Sequence, residues 1–117
     1  MSLSEITQVE RARWQRRAVG ELAAILDAHR DLPVIAWTVA AAGATVLGHV
    51  GGLAPAAQVR EVFERWRVAL AAAQPGQTTS QDGTIYLRAA VQRNRVALAL
   101  SATVFSHGEG EGPDGAR

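Results

Sequence analysis

The run from Thr84 to Phe105 limits the fold of this chain more than any other feature. Ile85, Leu87, Ala89 and Val91 alternate with Thr84, Tyr86, Arg88 and Ala90, and Val96, Leu98, Leu100, Ala102 and Val104 alternate with Ala97, Ala99, Ser101 and Thr103. A period of two sends successive side chains to opposite faces of a strand. Two such runs around Arg93-Asn94 predict an antiparallel hairpin that pairs Val91 with Val96, Ala89 with Leu98 and Leu87 with Leu100. A slip of one residue would turn every apolar side chain outward, so the division into faces is strongly specified.

The rest of the chain arranges itself around that hairpin. Capping-box patterns at Ser2-x-x-Glu5 and Thr7-x-x-Glu10 open a helix expected from about Ser4 to Arg30. Trp14, Ala18, Leu22, Ile25 and His29 follow at helical spacing, flanked by Val19 and Leu26, and Gly20 reads as a place for close packing. Pro33 ends the helix. Pro33–Ala40 and Thr45–Val50 read as strands around an Ala42-Gly43 loop, which sets Val39 opposite Val46, Trp37 opposite Gly48 and Ile35 opposite Val50. Gly51 and Gly52 break the second strand. Pro55 suits the first turn of a second helix reaching about Ala73, with Val59, Val62, Phe63, Trp66 and Leu70 on its apolar face. Gln74–Gly83 is polar and aperiodic, a loop.

The expected fold is therefore α+β, in the order α-β-β-α-β-β. It is one domain over 1–105 with a four-stranded antiparallel sheet and both helices on one face. The tail 106–117 has the composition of a disordered segment.

Composition removes several function classes. The chain has no cysteine, which excludes disulfides and thiolate metal sites and fits a cytoplasmic protein. Charge near the N-terminus occupies the place of a signal peptide's apolar stretch. The apolar run Pro33–Val50 contains Thr38, Thr45, His49 and two glycines, and reads as strands rather than a membrane span. The net charge is +1; the tail holds −2 and the remainder +3. All twelve basic residues are arginine, a bias that codon usage in a GC-rich genome explains.

No catalytic constellation stands out. His29 ends a helix, His49 sits on a strand's outer face and His107 lies in the tail, none at metal-ligand spacing. The helix acids read as solvated charges. GHVGG lacks the spacing of a phosphate loop. No catalytic, cofactor or metal residue is expected, and the pattern points away from an enzyme. Arg11, Arg13, Arg16 and Arg17 surround Trp14 and form a candidate phosphate contact. No second basic stripe in the sequence supports them, so nucleic acid is the less favoured partner.

The outer face of the sheet is the stronger candidate. Its expected members include Leu47, His49, Tyr86, Arg88, Ala97, Ala99, Ser101 and Phe105. An exposed face of an antiparallel sheet ordinarily carries long polar and charged side chains. This one carries small ones, with Leu47, Tyr86 and Phe105 as anchors, and suits a second copy or another protein. A third option places a small ligand or a reaction at His49, Tyr86 and Arg88, provided that the two hairpins lie side by side.

The segments ELAAILDAHRDLPVIAWTV, GHVGGLAPAAQVREVFERWRVAL and GTIYLRAAVQRNRVALALSATVF resemble a group of small uncharacterised actinobacterial proteins often encoded near mobile genetic elements. The resemblance covers about residues 18–105 and implies no activity, cofactor or site residue. The order of elements is also loosely similar to roadblock-type dimerisation domains, without the third strand and final helix of that order. Together these readings lead to a non-enzymatic interaction or regulatory protein, homodimeric or bound to a protein partner.

Overall fold

The computed structural model describes residues 3–41, 43–51, 54–73 and 75–105. The expected tail 106–117 and the positions Ala42 and Gly52 lie outside them. The elements are α1 (Leu3–Ala28), β1 (Ala36–Val39), β2 (Thr45–Val50), α2 (Ala56–Leu70), β3 (Gly76–Thr79), β4 (Ile85–Arg93) and β5 (Val96–Val104). The fold is α+β. Its sheet has five strands rather than four and is mixed rather than antiparallel, in the order β1-β2-β5-β4-β3.

The added strand, β3, falls in the segment read as a loop and pairs antiparallel with β4. All four of its residues are exposed, so neither face has a reason to be apolar and no period of two is written there.

The parallel pair follows from how the hairpins stand. Both tips lie at one end of the sheet, where the Ala97 N–H donates to the Ala44 carbonyl at 2.8 Å. Two hairpins pointing the same way and joined through their second strands must meet in parallel. β2 and β5 do so in the register Val46–Leu98, Gly48–Leu100 and Val50–Ala102, which keeps the apolar positions on one face.

The first hairpin pairs Val39 with Val46 and Trp37 with Gly48, as the spacing predicts, with Gly43 at φ +76°. Ile35 remains outside β1. In the second hairpin the turn is one residue later than expected. Asn94 and Arg95 are its central residues, both at positive φ, so Val91 pairs with Leu98, Ala89 with Leu100 and Leu87 with Ala102. Each pairing differs by two positions from the expected one. Parity is unchanged, and the division into faces survives.

Both helices cover the face that bears Val46, Leu98 and Leu100. Ala18 and Ile25 of α1 and Val59, Phe63, Trp66 and Leu70 of α2 are buried against it. Burial of a side chain of this size stabilises by about 1.5–3 kcal/mol relative to exposure. Trp66 stacks edge-on against Trp37 with ring centroids 5.2 Å apart, and its indole N–H donates to the Pro33 carbonyl at 2.8 Å. That bond fixes the chain between α1 and β1. Pro55 is the N-cap of α2 rather than its first helical residue. Gly20 is exposed with open space around it, so it permits no close packing.

Candidate functional site

With both helices on one side, the other side of the sheet has no covering layer among the described residues. The strand register fixes how its side chains are laid out. His49 pairs with Ser101 and Ser101 with Arg88, which sets these three in one row across β2, β5 and β4. Leu47, Ala99 and Ala90 form the next row. Ala97 lies beyond it toward the hairpin tips, and Tyr86 beside Thr103 lies toward the opposite end, where Phe105 follows β5. Seven of the eight sequence-predicted interface residues thus share one face, and Phe105 follows the last residue of β5. Leu47, Tyr86 and Phe105 are about two-fifths exposed, at 40%, 44% and 39%.

The character of this face is set by what it lacks. Among the described strand residues on it, Arg88 alone has a permanent charge. Ala97, Ala99, Ser101 and Thr103 give β5, the middle strand, a low profile.

His49 Nδ1 and Ser101 Oγ are 2.7 Å apart, a contact between residues on separate hairpins that sequence spacing alone did not reveal. Nε2 of the same ring lies over Gly51, where an added Cβ would come within 2.7 Å of it. A serine beside an imidazole is half of a nucleophilic arrangement, and activation also needs a group that orients the ring. Here the second ring nitrogen stands beside Gly51, and among the described residues no carboxylate bonds to the ring. The pair acts as a polar cross-strand tie within a surface whose one permanent charge among the described strand residues is Arg88.

The ligand reading placed His49, Tyr86 and Arg88 together. The hairpins do lie side by side, with β5 between His49 and Arg88. A cavity of about 580 Å³ borders His49 and is lined by Ile35, Val50, Gln58, Val59 and Val62 among others, but by neither Tyr86 nor Arg88. The trio therefore lies on an open sheet surface and shares no pocket. Among the described residues no three His, Asp or Glu side chains cluster to hold a metal ion. No helix there is long and apolar enough to cross a membrane.

The arginine cluster lies elsewhere. Arg11, Arg13 and Arg16 are exposed on α1 and Arg17 is half-buried. Arg13 approaches Glu10 at 3.4 Å. Further along the helix, Glu21 accepts a hydrogen bond from the Asn94 amide at 2.8 Å and stands 3.7 Å from Arg93. The β4–β5 turn is thereby fastened to α1.

The chain matches no family model, no curated protein and no solved structure.

Proposed function

We propose that this is a non-enzymatic interaction or regulatory protein that pairs with a second copy of itself through the uncovered face of its sheet. The observation that carries this reading is the small, nearly uncharged relief of β5 and its neighbours on that face. Flat strands bearing Ala, Ser and Thr can approach a facing sheet to about 10 Å, the ordinary spacing of packed sheets.

Two arguments favour a copy of the same chain over another occupant. A twofold interface brings each surface against itself, so a strongly charged face would repel its mate. This face has only Arg88, which stands on β4, to one side of the middle strand. A twofold axis near Ala99 therefore carries the two arginines to opposite sides. Area is the second argument. The strand residues, each about 3.3 Å long in strands about 4.8 Å apart, project roughly 500 Å² per protomer. A pleated surface exceeds its projection, which brings the pair into the range above about 1,000 Å² in total that specific interfaces occupy. Leu47, Tyr86 and Phe105 are the anchors. The absence of cysteine supports residence in a reducing, cytoplasmic compartment.

Light scattering after size exclusion tests the reading. At micromolar concentration the wild-type chain is expected at twice the monomer mass, and Ala99→Arg at the monomer mass with an unchanged circular dichroism spectrum. A wild-type protein that stays monomeric throughout this range, or a dimer indifferent to Ala99→Arg, overturns it.

A further inference from the structure

We propose that the end of the molecule where α1 meets the β4–β5 turn is a binding surface for the phosphate backbone of duplex DNA. Taken along the sequence, the arginines of α1 had no second basic element to support them. Folding supplies one.

Arg13, Arg17 and Glu21 are spaced four apart and form a single stripe along α1. At the end of that stripe, Glu21 holds Asn94 and Arg93. The turn carrying Arg93 and Arg95 thus continues the stripe into the sheet. Six of the chain's twelve arginines, at positions 11, 13, 16, 17, 93 and 95, gather at this end. Glu10 engages Arg13 and Glu21 engages Arg93; among the described residues, Arg11, Arg16, Arg17 and Arg95 form no ion pair.

The shape favours a duplex. Among the described side chains of α1 the first fully buried one is Ala18, so the turns from Gln8 to Arg17 stand beyond the core as a rod. Arg11, Arg13, Arg16 and Arg17 leave that rod over an arc of roughly 220°, at about 100° per residue. A helix of about 10–12 Å diameter matches a major groove about 12 Å wide, and arginines spread over this arc can reach the phosphates on both sides. Guanidinium forks suit phosphate oxygens. A single strand calls instead for exposed aromatic rings on which bases stack. The exposed aromatics, Tyr86 and Phe105, lie at the opposite end of β4 and β5, and Trp14 is half-buried.

Fluorescence anisotropy with a random-sequence 20-base-pair duplex tests this, with vesicles containing phosphatidylserine as the comparison. Neutralising about four phosphates gives a slope near −4 for log affinity against log salt, so binding should weaken about two-hundredfold from 50 to 200 mM salt. The doubly substituted R16Q/R17Q protein should bind at least tenfold more weakly at 50 mM. R95G should bind several-fold more weakly, and each lost charge should reduce the slope by about 1. Circular dichroism confirms that each variant is folded. The proposal is overturned by any of three results: no duplex binding at 50 mM salt, wild-type affinity and slope in R95G or R16Q/R17Q, or binding to vesicles alone.

Discussion

Trp37 lies against Gly48, so close that a Cβ at Gly48 would come within 2.7 Å of Cζ3 of the indole and 3.0 Å of Leu100 Cδ2. The ring cannot yield freely, because its other contacts include the edge-on packing against Trp66 at 5.2 Å. Gly48 is thus required for lack of a side chain rather than for backbone freedom. Gly48→Ala should lower the unfolding free energy by about 1–3 kcal/mol, the usual range for overpacking a core. Urea denaturation reads this directly. In a Trp37→Leu background the same substitution should cost less than about 1 kcal/mol, since the flexible end of Leu100 can move aside. An equal cost in both backgrounds would show that the indole is not what makes Gly48 necessary.

That contact was legible in the sequence, since register alone placed Trp37 opposite Gly48. Other features were legible only to the level of parity. In the second hairpin, Asn94 fits either central position of a two-residue turn, so the exact pairing was ambiguous while the faces were not. Parity also put Leu47 and His49 on the outer face of the first hairpin and Tyr86, Arg88, Ala97, Ala99 and Ser101 on that of the second, while the joining of the two faces through β2 and β5 came only with the fold. β3 was invisible because Gln77, Thr78 and Thr79 face solvent on both sides and write no pattern. The meeting of Glu21 with Arg93 and Asn94 was invisible for another reason. It depends on where α1 lands on the sheet, a tertiary choice that local propensity does not encode.

Ala71 closes α2 in the left-handed region, at φ 58° and ψ 36°. Its N–H donates to the Val68 carbonyl at 3.1 Å and that of Ala72 to the Arg67 carbonyl at 3.0 Å, the pair of bonds that defines a Schellman motif. Glycine is the favoured residue there, because a Cβ is strained in this conformation. Gly20 is the reverse case, a glycine inside a helix with open space around it. Ala71→Gly and Gly20→Ala should each raise stability by about 0.5–1 kcal/mol, and together by nearly the sum. A thermal melt of the two single variants and the double variant checks both. A fall in melting temperature for Ala71→Gly would contradict the left-handed cap.

Asn94 has two duties that substitution can separate. It occupies φ 52°, followed by Arg95 at φ 66°, and its amide donates to Glu21 at 2.8 Å. Asn-Gly is the preferred sequence for a turn with both central residues left-handed. Arg95→Gly should therefore stabilise the hairpin by about 0.5–1 kcal/mol, even as it removes a charge. Asn94→Gly keeps the backbone conformation and loses the tie to α1. Asn94→Ala loses both, at about 1–2 kcal/mol. The expected order of urea midpoints is Arg95→Gly, wild type, Asn94→Gly, Asn94→Ala. A reversal of the two Asn94 variants would show that the left-handed backbone contributes nothing.

Asp82 makes the turn between β3 and β4 sensitive to acid. The Ser80 hydroxyl donates to its carboxylate and the Thr84 N–H donates at 3.0 Å, and these bonds hold its pKa down at about 2. An unfolded aspartate titrates near 3.9, so at intermediate pH the unfolded chain binds the proton more readily than the folded one. The stability that Asp82 contributes is thus complete above its unfolded pKa and is lost as pH falls through the window from about 4 to about 2. Asp82→Asn cannot titrate and removes this dependence. The difference in unfolding free energy between wild type and Asp82→Asn, followed by urea denaturation, should be level from about pH 7 to 5 and shrink toward pH 2.5. Acid effects from other carboxylates, such as Glu64 beside Arg67, act alike on both proteins and cancel in that difference. A difference that stays level down to pH 2.5 would mean that Ser80 and Thr84 do not favour the ionised carboxylate.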